Sequence, residues 1–213
     1  FEAMLPYLKE HFGNPSSLHG PAVVARKALA SGRENVAALI GAAAREIVFT
    51  ATATEANNLA VRGVAAALKK RGNHIVTSSV EHTSVLGPLA ALEKEGYEIT
   101  RLPVDSTGRV DPDAVLGSLK KTTILLTIQH ANPEVGTIQA LERIGRVAKS
   151  IGVSFHADAT ATAGILPIDV ERLGVDLLTL SAQSVYGPPG AAALYVRRGT
   201  RIQPILAGGH QEG

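Results

Sequence analysis

The stretch Glu46-Ile47-Val48-Phe49-Thr50-Ala51-Thr52-Ala53-Thr54-Glu55-Ala56-Asn57-Asn58 decides the fold. Its first five residues are a short apolar run bounded by polar ones, the pattern of a buried strand. The rest is a turn of small residues and hydroxyls. It leads into a helical segment from Thr54 to Arg71 that carries Ala60, Val61, Val64, Ala65 and Leu68 on one face. A strand that feeds a helix in this way presents unpaired N–H groups and partial positive charge at the strand's carboxyl end, which suits a phosphate-type anion. Thr54 is placed to cap the helix, to donate its hydroxyl to a phosphate, or to do both. The turn lacks the GxxxxGK[ST] spacing of a Walker loop.

The same alternation continues along the chain. His74 to Ser78 reads as a strand, Thr83 to Glu95 as a helix, and Glu98 to Val104 as a strand. Asp111-Pro112 opens a helix, with Asp as N-cap and Pro at the first helical position. Thr123 to Gln129 is the most apolar strand, followed by a helix from about Ala140 to Ser150. Strands follow near Val153 to Ala157, Asp176 to Ser181 and, after the Gly187-Pro188-Pro189-Gly190 turn, Ala192 to Arg197. This order predicts an α/β fold of three layers, α/β/α, with a mostly parallel central sheet. Leu5 to Gly41 reads as mostly helical, interrupted at Gly13-Asn14-Pro15-Ser16-Ser17.

Composition narrows the function classes. Aromatic residues make up 4% of the chain and Trp is absent, so aliphatic side chains have to fill the core. The 21 basic and 19 acidic residues are interleaved, which does not predict a nucleic-acid partner. With no cysteine, neither a disulfide nor a cysteine metal site can form, and no metal ligand set is expected. No apolar run approaches the ~20 residues of a membrane span, so no membrane partner is expected and the location is read as cytoplasmic. The chain opens on Phe1-Glu2-Ala3 and stops at Gln211-Glu212-Gly213, and both ends are read as cut.

In open α/β sheets ligands sit beyond the carboxyl ends of the strands. After Ser78 come Glu81-His82, where His82 is read either as a structural residue or as a group that stacks on a flat ring or moves protons. After Gln129 come His130-Ala131-Asn132-Pro133-Glu134, a polar turn with an amide and a carboxylate. After Ala157 comes Asp158, which needs a cationic or hydrogen-bonding partner if buried; a protonated heterocycle nitrogen would serve, and an N-cap role is the alternative.

Taken in order, Phe12-Gly13-Asn14-Pro15-Ser16-Ser17, Glu46 to Thr50, Ala53 to Asn58, Glu81-His82, His130-Ala131-Asn132, Glu134-Val135-Gly136, His156 to Thr160, Tyr186-Gly187-Pro188 and Gly208-Gly209 resemble the cysteine desulfurase family. That family lies in the class V aminotransferase group of fold-type-I pyridoxal-phosphate (PLP) enzymes. The resemblance implies that residues 1–213 are a PLP-binding large domain, with a small C-terminal domain outside the chain. It implies PLP as cofactor, with Ala53, Thr54 and Ser181 at the phosphate, His82 stacked on the ring, Asn132 beside the phenolic oxygen and Asp158 on the pyridine nitrogen. It also implies a homodimer, L-cysteine as substrate, and an iron–sulfur scaffold or other sulfur-acceptor protein as partner.

The departures from the pattern are equally specific. The family usually reads Ser-Gly-His-Lys where this chain has Ser181-Ala182-Gln183-Ser184. Ser184 thus stands at the Schiff-base lysine and Gln183 at a phosphate-contacting His. Ala161 replaces the Gln that bonds the ring oxygen, Thr52 replaces a Gly in the phosphate turn, and Pro133 replaces the second Asn of an Asn-Asn-Glu turn. A serine cannot form an imine, so the chain resembles those members that lack the lysine and would hold PLP without a covalent bond. Sulfur mobilisation with His82 as substitute proton carrier is one expectation; a non-catalytic homologue serving as a dimeric assembly scaffold is the other.

Overall fold

The computed structural model describes residues 1–209 and Glu212; His210, Gln211 and Gly213, part of the chain end quoted above, lie outside the described residues. The chain runs α1 (Leu5–Lys9), α2 (Gly20–Leu39), β1 (Ile47–Thr50), α3 (Ala53–Leu68), β2 (His74–Ser78), α4 (Thr83–Lys94), β3 (Glu98–Leu102), α5 (Pro112–Ser118), β4 (Thr123–Thr127), α6 (Leu141–Ile151), β5 (Ser154–Asp158), α7 (Val170–Leu173), β6 (Leu177–Ser181) and β7 (Ala192–Val196). Asp111 caps α5 as its sequence predicts, accepting from the Asp113 N–H at 2.9 Å. The single-turn α7 has no counterpart in the sequence reading, because four residues are too few for a helical period to show.

One sheet has the order β1-β7-β6-β5-β4-β2-β3. Neighbours are parallel from β3 across to β6, and only β7 runs against its neighbours, β6 and β1. The sheet is therefore mostly parallel, and its central strands β2 and β4 are buried throughout because helices cover both faces. Adjacent strand residues divide between the two layers. Val76, Leu126, Phe155 and Leu178 pack with Ala37, Leu141, Ile144 and Val170 of α2, α6 and α7. Ile75, Leu125 and Leu177 pack with Val61, Val64 and Leu68 of α3 and with Val85 and Leu89 of α4. The β2–β4 register slips between His74 and Ile75, which leaves Ile124 as the extra residue on β4. That bulge accounts for consecutive Ile124 and Leu125 sharing one layer.

Close approach of α6 to the end of α7 requires glycine. A Cβ built on Gly145 would stand 2.2 Å from the carbonyl oxygen of Leu173. Alanine is the better helix former by about 1 kcal/mol, but backbone cannot yield as a side chain tip does. Gly145→Ala is therefore expected to destabilise the domain by about 3 kcal/mol, read as a lower urea midpoint with unchanged slope; a midpoint equal to the parent's would refute the contact.

The topology also assembles one edge. Ala192 pairs with Ser181 of β6 on one side and with Thr50 of β1 on the other. Because β7 is reversed, its first residue meets the carboxyl ends of both neighbours. The turn into α3, the end of β6 and the Pro189–Ala191 approach to β7 therefore come together.

Candidate cofactor site

At this edge lies a cavity of about 480 Å³, walled by Ala51–Thr54, His82, Ser84, Pro133, Asp158, Thr160, Ala161, Ser181, Gln183 and Pro189–Ala191. Six of the eight residues singled out from the sequence, Ala53, Thr54, His82, Asp158, Ser181 and Gln183, line it. Asn132 and Ser184 do not. Asn132 faces a neighbouring cavity of about 560 Å³ shared with Val80 and Glu81. Its Oδ1 accepts from the N–H groups of Glu134 and Val135, and its Nδ2 donates to the Val80 carbonyl at 3.2 Å. Ser184 sits in a 3₁₀ turn over Ala182–Val185, with its hydroxyl donated back to the Ser181 carbonyl at 2.7 Å.

The helix cap differs from the expectation. Thr52, not Thr54, is the N-cap of α3: its backbone is extended (φ −147°, ψ 156°) and its hydroxyl oxygen accepts from the Glu55 N–H at 3.0 Å. Glu55 in turn accepts from the Ala51 N–H at 2.9 Å, so the start of the helix is clamped from both sides. An extended φ suits any residue, so threonine in place of glycine does not strain this turn. The consequence is favourable for an anion. With Thr52 capping, the N–H groups of Ala53 and Thr54 open the helix with no intrahelical acceptor, and the Thr54 hydroxyl is released from capping.

His82 is the N-cap of α4, and its exposed ring walls the cavity. Nδ1 accepts from the Ser84 N–H at 3.1 Å and lies 2.7 Å from the Ser84 hydroxyl, which puts the ring proton on Nε2. Asp158 is 4% exposed. Its Oδ1 accepts from the Thr160 N–H and its Oδ2 from Asn57 Nδ2, at 2.9 and 2.8 Å. Asp158 caps no helix, since only a turn follows β5; its local bond is to the Thr160 N–H, and the residue lines the cavity.

Beneath Asp158 a polar stripe crosses the sheet. His156, on the same side of β5, has Nδ1 2.8 Å from the Thr127 hydroxyl and Nε2 3.0 Å from that of Thr179. Burial holds its pKa well below the usual histidine range, against the opposing pull of Asp158. Glu81 behaves oppositely. Its carboxyl is pushed up to about 8 by burial, which outweighs the hydrogen bonds from Ser78 and the Gln129 N–H; the charge of Asp158 adds a smaller upward push. Oε1 takes both hydrogen bonds, and Oε2 is buried without a partner. A buried oxygen with no donor nearby is the natural seat of that proton.

Asn57, Ser84 and Glu81 are, with Thr160 and His156, polar residues that sequence reasoning did not single out as site residues. Asn57 left a trace, since it stands on the stripe that continues as Val61, Val64 and Leu68, all buried. A polar residue in an apolar stripe is informative. Ser84 and Glu81 left none.

The donors match the chemistry of a phosphorylated pyridine ring. Free helix N–H groups and hydroxyls stand at one end of the cavity, an imidazole ring along it, and a buried carboxylate held by two hydrogen bonds behind it. A parallel α/β fold with a free helix N-terminus and a buried carboxylate on one cavity has the groups that a phosphorylated pyridine ring requires. The class-V aminotransferase family profile matches residues 1–212, and the chain belongs to that family, which is PLP-dependent. It is 52% identical over 212 residues to the cysteine desulfurase IscS of Dictyoglomus turgidum, covering 100% of this chain and 54% of that protein. It is 46% identical over 211 residues to cysteine desulfurase IscS 1 of Archaeoglobus fulgidus, covering 99% and 55%. Among solved structures, a NifS-like protein superposes with a TM-score of 0.96 at 37% identity, over 99% of this chain and 58% of that one. SspA in complex with cysteine also gives 0.96, at 40% identity, over 99% and 61%. The chain thus spans about half the length of the relatives it matches. Among the described residues no helix is long and apolar enough to cross a membrane, and no cluster of His, Cys, Asp or Glu could hold a metal.

Proposed function

We propose that this chain is the PLP-binding large domain of a cysteine desulfurase-like protein, which holds the cofactor without a covalent bond and serves sulfur mobilisation from L-cysteine towards an iron–sulfur scaffold or other acceptor. The observation that carries the reading is the convergence on one cavity of the open α3 N-terminus, the exposed His82 ring and the 96%-buried Asp158, whose 4% exposure faces that cavity. Ala53 and Thr54 would hold the phosphate with Ser181 and Gln183. His82 would lie on the ring, with its Nε2 proton turned away from the α4 cap. Asp158 would accept from the ring nitrogen. Bound PLP supplies an electron-accepting ring to which the amine of cysteine can be joined. The chain's own part is to orient the ring, keep its nitrogen protonated through Asp158 and offer His82 as the nearest proton carrier. Having no cysteine, these residues carry no persulfide, so sulfur passes to a thiol elsewhere.

The scaffold alternative is favoured by Ser184, whose hydroxyl is turned onto the Ser181 carbonyl rather than into the cavity. A homodimer accords with either reading. Phe1, Leu8, Phe12 and Leu18 are exposed near the N-terminus, and Tyr186 beside the cavity turn is 98% exposed at φ 60°, an uncommon conformation for a non-glycine residue.

PLP is expected to bind reversibly to the purified protein in equilibrium dialysis. Borohydride treatment and digestion should yield no pyridoxyl-lysine peptide, and Asp158→Ala should weaken binding by tenfold or more, the scale of one charge-assisted bond. No retention of PLP by the parent protein would sink the reading. A pyridoxyl-lysine would show that another lysine reaches the cavity.

A further inference from the structure

Asn57 has no assigned task, yet it is fully buried and bonded to two residues that line the cavity, Ser84 and Asp158. Its Nδ2 donates one hydrogen to Asp158 Oδ2 and the other to the Ser84 hydroxyl oxygen, both at 2.8 Å. The Ser84 hydroxyl lies 2.7 Å from His82 Nδ1. One unbroken chain of hydrogen bonds therefore runs from Asp158 through Asn57 and Ser84 to His82, across three elements: β5, α3 and the start of α4.

The direction of each bond follows from its neighbours. A carboxylate can only accept, so the amide must turn its nitrogen, not its oxygen, towards Asp158. The second amide hydrogen then occupies a lone pair of Ser84 Oγ. Nδ1 of His82 already accepts from the Ser84 backbone N–H, so the hydroxyl hydrogen is directed to the same nitrogen. The arrangement has a cost. Asn57 Oδ1 is buried with no partner among the described residues, which costs stability. Leucine at this position would remove that cost, and the neighbouring helix positions Ala56, Ala60 and Val61 are buried and apolar. What leucine would not supply is a single nitrogen with two hydrogens pointing at two different side chains.

We propose that Asn57 is the positioning residue of the cofactor cavity: through Ser84 it locks the carboxylate of Asp158 and the imidazole of His82 into one fixed relation. It touches no substrate. It fixes the carboxylate plane where a ring nitrogen would be met, and through the Ser84 hydroxyl it adds a second hydrogen bond at the imidazole nitrogen that the Ser84 N–H already holds. This rests on the PLP reading of the cavity, but its main consequence can be measured in cofactor-free protein.

Nitrogen-15 spectra of the His82 ring in PLP-free protein should show a single species protonated on Nε2. In Asn57→Ala the Ser84 hydroxyl is no longer forced to point at Nδ1, and the Nδ1 resonance should shift as it loses that second hydrogen bond, while the Ser84 N–H keeps the proton on Nε2. Ser84→Ala removes only a hydroxyl at a position where alanine suits the helix, so it keeps the test available if Asn57→Ala fails to fold; it should disturb the His82 signals in the same sense. His82 signals unchanged in Ser84→Ala, or in folded Asn57→Ala, would overturn the proposal. With PLP, Asn57→Ala should lose roughly tenfold in affinity. Asp158→Ala/Asn57→Ala together should lose less than the product of the two single losses, because part of the amide's effect passes through the carboxylate. Losses that multiply would also overturn it. Failure of the parent protein to bind PLP leaves the His82 measurement intact and counts against the functional reading alone.

Discussion

Ser184→Lys is expected to convert a dissociable PLP site into a covalent one. Ser184 lies between Gln183, which lines the cavity, and the turn residues Val185 and Tyr186; Ser181, three residues back, also lines the cavity. The serine hydroxyl reaches only the Ser181 carbonyl. A lysine on the same half-buried Cα has a four-carbon stem with which to leave that local bond and enter the cavity lined by Ala53, Thr54 and Asp158, where the proposed PLP would present its aldehyde. An amine presented within the site acts at an effective concentration no dissolved amine matches, so an affinity gain of about a hundredfold or more is expected. Retention of PLP through gel filtration and a borohydride-fixed pyridoxyl group on residue 184 would show it. A variant that binds PLP but is never modified at 184 would place the 3₁₀ turn too far from the ring position. A variant that binds no PLP at all would mean that the cradle itself does not hold the phosphate.

The layered α/β plan was open to reading because each strand and helix carries its own signal. His74 to Ser78 is a run whose bounds the structure reproduces, and Asp111-Pro112 states a helix start in two residues. The cavity was legible to the extent that its residues follow strand ends. Thr50, Ser78, Asp158 and Ser181 are the last residues of β1, β2, β5 and β6, and the parallel topology converts that sequence property into proximity. Relations between side chains were not legible. Whether Thr52 or Thr54 caps α3 depends on two residues of backbone placement, and both are threonines. The Asn57 bonds join positions 27 and 101 residues apart, and no local pattern reports such a pairing. Asn132 follows a strand end as the others do, but its amide is taken up by the turn that it helps to build. Nor did the sequence distinguish Glu81 from any surface glutamate: only the packing of the loops around Val80 and Gln129 takes it out of water.

That burial of Glu81 makes the stability of the domain depend on pH in a way that one substitution should abolish. The folded carboxyl titrates at about 8 against an ordinary value of 4.5. Between those values the folded chain holds a proton that the unfolded chain has released, so stability falls as pH rises through the window and levels off above it. At 1.36 kcal/mol per unit the loss across the whole window is of the order of 4–5 kcal/mol. His156 contributes with the opposite sign. Its pKa is depressed in the folded chain, so below about 6.5 the unfolded chain binds the extra proton and stability falls as the solution is acidified. The two slopes offset each other in mildly acidic solution and leave Glu81 exposed as the dominant slope between about 6.5 and 8. Glu81→Gln keeps an oxygen to accept from Ser78 and from the Gln129 N–H but has no proton to lose. Its unfolding midpoint should match the parent's near pH 5 and exceed it progressively up to pH 8, while His156, present in both proteins, cancels from the difference. Parallel midpoint curves would mean that Glu81 is ionised in the folded chain or reached by water. A growing gap would establish that the residue beside His82 is held as a neutral acid in the folded chain.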